Sequence, residues 1–308
     1  MIYTVTCNPA LDCTVRLGDL REGSINFVDG CVLSPGGKGI NVSRVLVALG
    51  EETKAYAFAA GSNGKLLEEA LMQADVLPYF LYLPQGQTRI NVKLYGTQET
   101  QLNAPGPAVD AADFERLLAD LEVLCRPKEK HILCLCGSLP PGMGADSYAR
   151  MLAATKECAR AVVDTTGEAL LCSLAERPWL IKPNREELAA LVGRELPALT
   201  DVIAAAEELM ARGAQNVLVS LGGDGALLCA EDGRRLYQPA PDGTVIGTVG
   251  AGDSTVAGFV AGWHRHGDVV EALRLGVACG SATAFSEGLA DQAAIAAVLA
   301  TMPEMIKV

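Results

Sequence analysis

Histidine, tryptophan and aromatic side chains in general are scarce: the 308 residues hold three His and two Trp, and Phe, Trp and Tyr together make up 5%. So few imidazoles leave little for a histidine-built metal centre. His131, His264 and His266 have no carboxylate or cysteine spacing that suggests a ligand set, and they read as structural. Positive charge is also short, with 25 Lys and Arg against 37 Asp and Glu for a net charge of −12. That balance repels a phosphate backbone and argues against a nucleic-acid partner, so an anionic ligand must find local cations. There is no apolar run of about 18 residues to cross a bilayer, so no membrane partner is expected. The start, MIYTVTCNPALD, has no basic segment and too short an apolar run for an export signal, so a cytoplasmic chain with reduced thiols is expected. The ten cysteines form no CxxC pair and no metal-ligand spacing. Lying in apolar runs such as HILCLC (131–136), they read as small core residues, and disulfides are not expected.

What is abundant is small and apolar. Half the residues are hydrophobic and 32 are glycine, which suits a turn-rich α/β protein. The length fits one main domain, 1–308, with a small appendage. Short β-rich runs at 2–7, 54–60, 131–136, 161–164, 179–182, 216–220 and 226–230 alternate with segments of helical spacing at 41–50, 64–75, 110–125, 144–159, 184–192 and 200–213. From about 253 to 302 the pattern is helical, broken at Gly267 and Gly288. This alternation predicts a mostly parallel sheet with helices on both faces. Two stretches, about 10–35 and 84–103, break the rhythm. In them Asp12, Thr14 and Arg16, and then Arg89, Asn91 and Lys93, alternate with apolar neighbours. Each reads as a strand with one polar face. That face is either a solvated edge or the underside of a β-lid over a ligand at the carboxyl ends of the main strands.

Two glycine-rich stretches carry chemistry. In GAGDST (250–255), Gly250 and Gly252 permit a tight turn into a helix, and the amides of Gly250, Ala251, Gly252 and Asp253 can converge on an anion. Taken alone, the same residues are equally a glycine turn with Asp253 as a helix N-cap. In GGKGINVS (36–43), Gly36, Gly37 and Gly39 let backbone approach a ligand closely, while Lys38 and Asn41 offer charge and hydrogen bonds. This is not a Walker A loop, since GxxxxGK[ST] is absent. The dinucleotide fingerprint GxGxxG is also missing after the first strand.

Together these stretches resemble the paired signatures of the ribokinase (PfkB) family of carbohydrate kinases. Further motifs fall in the family's order: NPALD (8–12), TRINVK (88–93), GSLPPG (137–142), KPNREEL (182–188) and SLGGDGA (220–226). The resemblance implies a ribokinase-like three-layer α/β/α sandwich with a mostly parallel central sheet and a small β-lid formed by about 10–35 and 84–103. It implies ATP and Mg²⁺ as cofactors, with Asp253 as general base beside Gly250, Ala251 and Gly252. Asp12, Gly36, Gly37, Lys38, Asn41, Arg89 and Ser138 fall where the family holds its sugar. Lys182, Asn184, Ser220, Gly222, Gly223 and Gly225 fall on the nucleotide side, with Asn184 and Glu187 near a hydrated magnesium ion. On their own, Asn184 and Glu187 also fit an ordinary helix start.

Within the family the wording is closest to kinases of fructose 1-phosphate and tagatose 6-phosphate, so a ketohexose phosphate is the expected substrate, with fructose 1-phosphate preferred. A substrate that already carries a phosphate needs cations. Lys38 and Arg89 are the first candidates, with Lys93 and Arg44 second. A non-catalytic sugar-phosphate sensor on this fold is the reading from another class, and the intact GAGD argues against it. An exposed apolar face on the lid would suit a homodimer.

Overall fold

The computed structural model describes residues 1–97, 99–124, 131–157 and 159–308. Its strands, in chain order, are β1 (Ile2–Thr6), β2 (Ala10–Arg16), β3 (Gly30–Gly36), β4 (Thr53–Ala59), β5 (Leu77–Tyr82), β6 (Arg89–Tyr95) and β7 (Glu99–Leu102). There follow β8 (His131–Cys136), β9 (Ala159–Asp164), β10 (Leu180–Ile181), β11 (Asn216–Ser220), β12 (Ala226–Cys229), β13 (Arg235–Gln238) and β14 (Ile306–Lys307). The helices are α1 (Lys38–Ala48), α2 (Gly61–Gln73), α3 (Ala111–Leu124), α4 (Ser147–Thr155) and α5 (Gly167–Ser173). After them come α6 (Arg185–Val192), α7 (Leu199–Ala211), α8 (Ala251–His266), α9 (Val269–Ala284) and α10 (Gln292–Leu299).

Ten strands make one sheet in the order β14-β13-β12-β11-β10-β9-β8-β1-β4-β5. The pairings from β11 through β1 to β5 are parallel, and those from β11 outward to β14 are antiparallel. Alternation along each strand splits the core in two. Tyr3, Val5, Leu133, Leu135, Val217 and Val219 pack with α3 to α7 on one face. Ile2, Ile132, Cys134, Cys136 and Leu218 pack with α1, α8, α9 and α10 on the other. Ala55 joins α1 and α2 through Ile40, Leu67 and Leu71. Buried on both sides, the strands read as unbroken apolar runs, and the architecture is a three-layer α/β/α sandwich.

β5 is an edge strand that the periodicity does not announce, because LPYFLY carries Pro78 and a mixed pattern. Five described cysteines, Cys7, Cys134, Cys136, Cys229 and Cys279, are buried as the apolar reading anticipates. The reading fails for three others: Cys31 is exposed, and Cys13 and Cys172 are half-buried. Cys125 and Cys158 lie outside the described residues.

The two irregular stretches build a second sheet of four strands, ordered β3-β2-β6-β7. β2 runs parallel to β6, with Asp12 opposite Asn91 and Thr14 opposite Lys93, and β3 and β7 flank them antiparallel. No helix among the described residues is long and apolar enough to cross a membrane.

Candidate active site

A cleft of about 1290 Å³ opens at the carboxyl ends of β1, β8, β9 and β11, with the polar face of the small sheet on one side and the start of α8 on another. Parallel sheets place ligands at this end, where loops and helix N-termini converge. Every site residue read from the sequence lines the cleft except Gly36 and the second-choice cation Arg44. Gly36 lies behind Asp12, where an added Cβ would sit 2.4 Å from the carboxyl carbon, so only glycine leaves room for that side chain.

The α8 turn is built by Gly250, whose φ of 84° is open to glycine at little cost. The curl brings the Ala251 amide to the Thr248 carbonyl at 3.2 Å. Ala251 is therefore spent on closing the turn and does not join an anion cradle. The Gly252 and Asp253 amides, in the first helical turn, have no intrahelical acceptor. The glycines of α8 and α9 seat this turn firmly. A Cβ at Gly258 would meet Leu275 O at 2.5 Å, and one at Gly262 would meet Ala272 Cα at 2.7 Å.

Asp253 is not an N-cap. Gly250 occupies that position, and no side chain caps the helix. The Asp253 carboxylate instead accepts a 2.8 Å hydrogen bond from Asn41 Nδ2 at the start of α1. Burial, reinforced by the neighbouring Asp164 carboxylate, pushes its pKa up to about 6, against the pull of Lys38, Asn41 and Lys182. A helix start by itself favours the carboxylate, and burial overrides that here.

Sequence reasoning missed Asn8 and Asn91 on the cleft wall, and Asp164 at the end of β9 behind it. Fully buried, Asp164 receives Lys38 Nζ at 3.0 Å and lies 3.6 Å from Lys182 Nζ. Burial works to raise its carboxyl, but Lys182 and Lys38 outweigh that and hold it low. Burial likewise works against the Lys38 ammonium, and the Asp164 and Asp253 carboxylates overcome it and push it up. Lys38 is thus held among the carboxylates beside Asp253, a partnership its sequence neighbours do not reveal. The signal available was a carboxylate closing the buried strand run AVVD at the sheet's carboxyl end.

The small sheet is similarly engaged. Asp12 receives Lys93 Nζ at 2.6 Å and Asn91 Nδ2 at 3.1 Å. Lys93, second choice for a substrate phosphate, is therefore a partner of Asp12. Arg44 donates to Pro35 O at 3.3 Å and does not line the cleft. Arg89 donates to the Asn8 carbonyl at 2.8 Å and the Ala104 carbonyl at 3.0 Å, so it ties two loops together at the cleft wall. Ser138 faces Asn8 Nδ2 at 3.5 Å. Around this end, Thr6 Oγ1, Asn8 Oδ1, Arg89 Nε and Asn91 Oδ1 are buried with no hydrogen-bond partner among the described residues. Buried polar atoms are rarely left so, and their clustering in the cleft points to a polar ligand.

On the opposite side, Ser220 and the Gly222–Gly225 turn line the cleft, and Lys182 is nearly fully buried beside Gly252. Asn184 and Glu187 close on each other in a capping box at the start of α6, with bonds of 2.7 and 2.8 Å. No group of three or more metal-ligating side chains occurs among the described residues. The oxygens present still suit a sparsely held hard cation, since Asn184 and Glu187 line the cleft and Asp164 Oδ2 is buried with no hydrogen-bond partner among the described residues. His131 packs edge-to-face against Tyr3, and His264 bonds Glu51 at 2.8 Å, which fits their structural reading.

Residues 7–295 match the pfkB family carbohydrate kinase. The chain belongs to this family. It is 40% identical over 293 residues to the 1-phosphofructokinase of Bacillus subtilis, covering 95% of each chain. It is 35% identical over 305 residues to that of Escherichia coli K12, covering 97% of this chain and 96% of the relative. Phosphofructokinase-2 from Escherichia coli, solved with fructose-6-phosphate, superposes with a TM-score of 0.89 at 32% identity, covering 97% of this chain and 98% of that one. The sandwich is thus the ribokinase-like fold, and the activity is phosphoryl transfer to a sugar hydroxyl.

Proposed function

We propose that this carbohydrate kinase transfers the γ-phosphoryl group of ATP to the 6-hydroxyl of fructose 1-phosphate, giving fructose 1,6-bisphosphate and ADP. One observation carries the mechanism: a buried carboxylate, Asp253, with its pKa raised to about 6, is oriented by Asn41 at the helix start facing the cleft. The choice of sugar follows the 1-phosphofructokinases it resembles.

Sugar phosphate lies under the small sheet, which acts as a lid, with Asp12, Asn91 and Asn8 taking its hydroxyls and Arg89 its phosphate. ATP lies along the Ser220–Gly225 turn. As the 6-oxygen attacks the γ-phosphorus, its proton passes to Asp253 Oδ and the bond to ADP breaks. The Gly252 and Asp253 amides, with Lys38 and Lys182, face the charge moving between the oxygens. Glu187 and Asn184 would hold magnesium through water, and the ion would supply further neutralisation of the phosphates. Exposed Ile25 and Phe27, beyond β2, give the lid an apolar tip suited to pairing with a second copy. A cytoplasmic setting agrees with ATP as donor.

The test is ADP release measured with fructose 1-phosphate, tagatose 6-phosphate, fructose 6-phosphate, fructose and ribose. Fructose 1-phosphate should give the highest kcat/KM. A higher value for any other sugar overturns the substrate assignment and leaves the base in place.

A further inference from the structure

The face of the lid that points away from the cleft holds a pair of sulfurs that the kinase reaction does not use. Asp12 lines the cleft, so its neighbour Cys13 projects from the opposite face of β2. The β2–β3 register sets Cys13 opposite Leu33 and Val15 opposite Cys31, which makes the cysteines diagonal neighbours on that face. Their Sγ atoms are 3.0 Å apart, although 18 positions separate them in the chain. Cys31 is exposed and Cys13 half-buried, so small solutes can reach the pair.

We propose that Cys13 and Cys31 are a reversible oxidation site, which a low-molecular-weight disulfide such as oxidised glutathione converts to a disulfide stapling β2 to β3. The Cys31 thiolate attacks one glutathione sulfur, forming a mixed disulfide and releasing one glutathione thiolate. Cys13 then gives up its proton and attacks the Cys31 sulfur, releasing the second glutathione. Two protein thiols are oxidised and one glutathione disulfide is reduced to two thiols. Reaching an S–S bond of about 2.0 Å requires the sulfurs to close by about 1 Å, within the reach of side-chain rotation on two strands already paired. The hydrogen bond to Cys31, with burial, pushes the Cys13 thiol up, so exposed Cys31 is the sulfur that meets the oxidant first. Cys172, the one other described cysteine that is not buried, has no sulfur partner among the described residues with which to resolve an adduct.

The test treats the full chain with oxidised glutathione, alkylates it, and digests it with trypsin, which cuts after Arg16 and Arg21 between the two cysteines. The expected product is a reduction-sensitive link between residues 1–16 and the peptide holding Cys31, with an intact mass about 2 Da below that of the reduced chain. Cys31→Ser should abolish the link and leave Cys13 unable to form it with buried Cys7, while Cys13→Ser should trap a stable glutathione adduct on Cys31. Glutathione retained on both cysteines of the wild-type chain, or a link found only between two copies on a non-reducing gel, would overturn the proposal.

Discussion

Asn41 and Asp253, 212 residues apart, meet across a 2.8 Å hydrogen bond that ties the start of α1 to the start of α8. The bond fixes Asp253 Oδ2, and in the proposed mechanism the other oxygen takes the proton from substrate. Asp253→Asn keeps the size and can still accept from Asn41 but cannot take a proton. It should lower kcat by about 10²–10⁴-fold with both substrates still bound. Retention of more than about a tenth of wild-type kcat would remove Asp253 as base.

The same carboxyl makes a prediction about stability. Its pKa is raised on folding from 3.8 to about 6, so its favourable contribution is full below the unfolded value and lost as pH rises through the folded one. Asp253→Asn should therefore melt above wild type at about pH 8, with the gain shrinking toward about pH 4. Melting curves at the two pH values check this, and a constant difference would contradict the raised pKa.

Catalysis should show the same group. Because the base works as a carboxylate, kcat/KM should fall as pH drops through about 6. Asp164→Asn removes a carboxylate that raises Asp253 and frees Lys38 and Lys182 to pull it down, so the acid limb should move to lower pH. It should also cost about 3 kcal/mol of stability by leaving buried cations unpaired. An acid limb that stays in place would separate Asp164 from the base.

Arg89→Ala should affect two measurements. Loss of its bonds to the Asn8 and Ala104 carbonyls should destabilise the chain by about 1.5–3 kcal/mol. The kcat/KM for sugar phosphate should fall while the KM for ATP holds. A lowered melting temperature with unchanged sugar kinetics would make Arg89 a loop tie alone.

Gly36→Ala should displace Asp12, because the new methyl falls 2.4 Å from its carboxyl carbon. The sugar-side KM should rise with that for ATP unchanged. Gly30→Ala, on the same strand with open space around it, serves as the control. Equal behaviour of the two variants would count against Asp12 as a sugar ligand.

Glu187→Gln should leave stability within about 0.5 kcal/mol, since glutamine also completes a capping box. The magnesium concentration for half-maximal rate should rise. An unaltered magnesium titration would leave Glu187 as a cap and nothing more.

Local sequence determined the buried strands, the helices between them and the glycine turns, because unbroken apolar runs and turn residues carry their own conformational bias. It also held the ordered motifs that marked the family. What it could not hold were relationships set by register and packing. Asp164 becomes a counter-ion for Lys38 and Lys182 only when β9 ends beside the starts of α1 and α6. Lys93 meets Asp12, and Cys13 meets Cys31, only through the pairing of β2 with β6 and β3. Asp253 looked like an ordinary helix-start carboxylate because its sequence neighbours are glycine, alanine and serine. Burial against α1 and the charge of Asp164 raised its pKa, and burial exists only once the layers have packed.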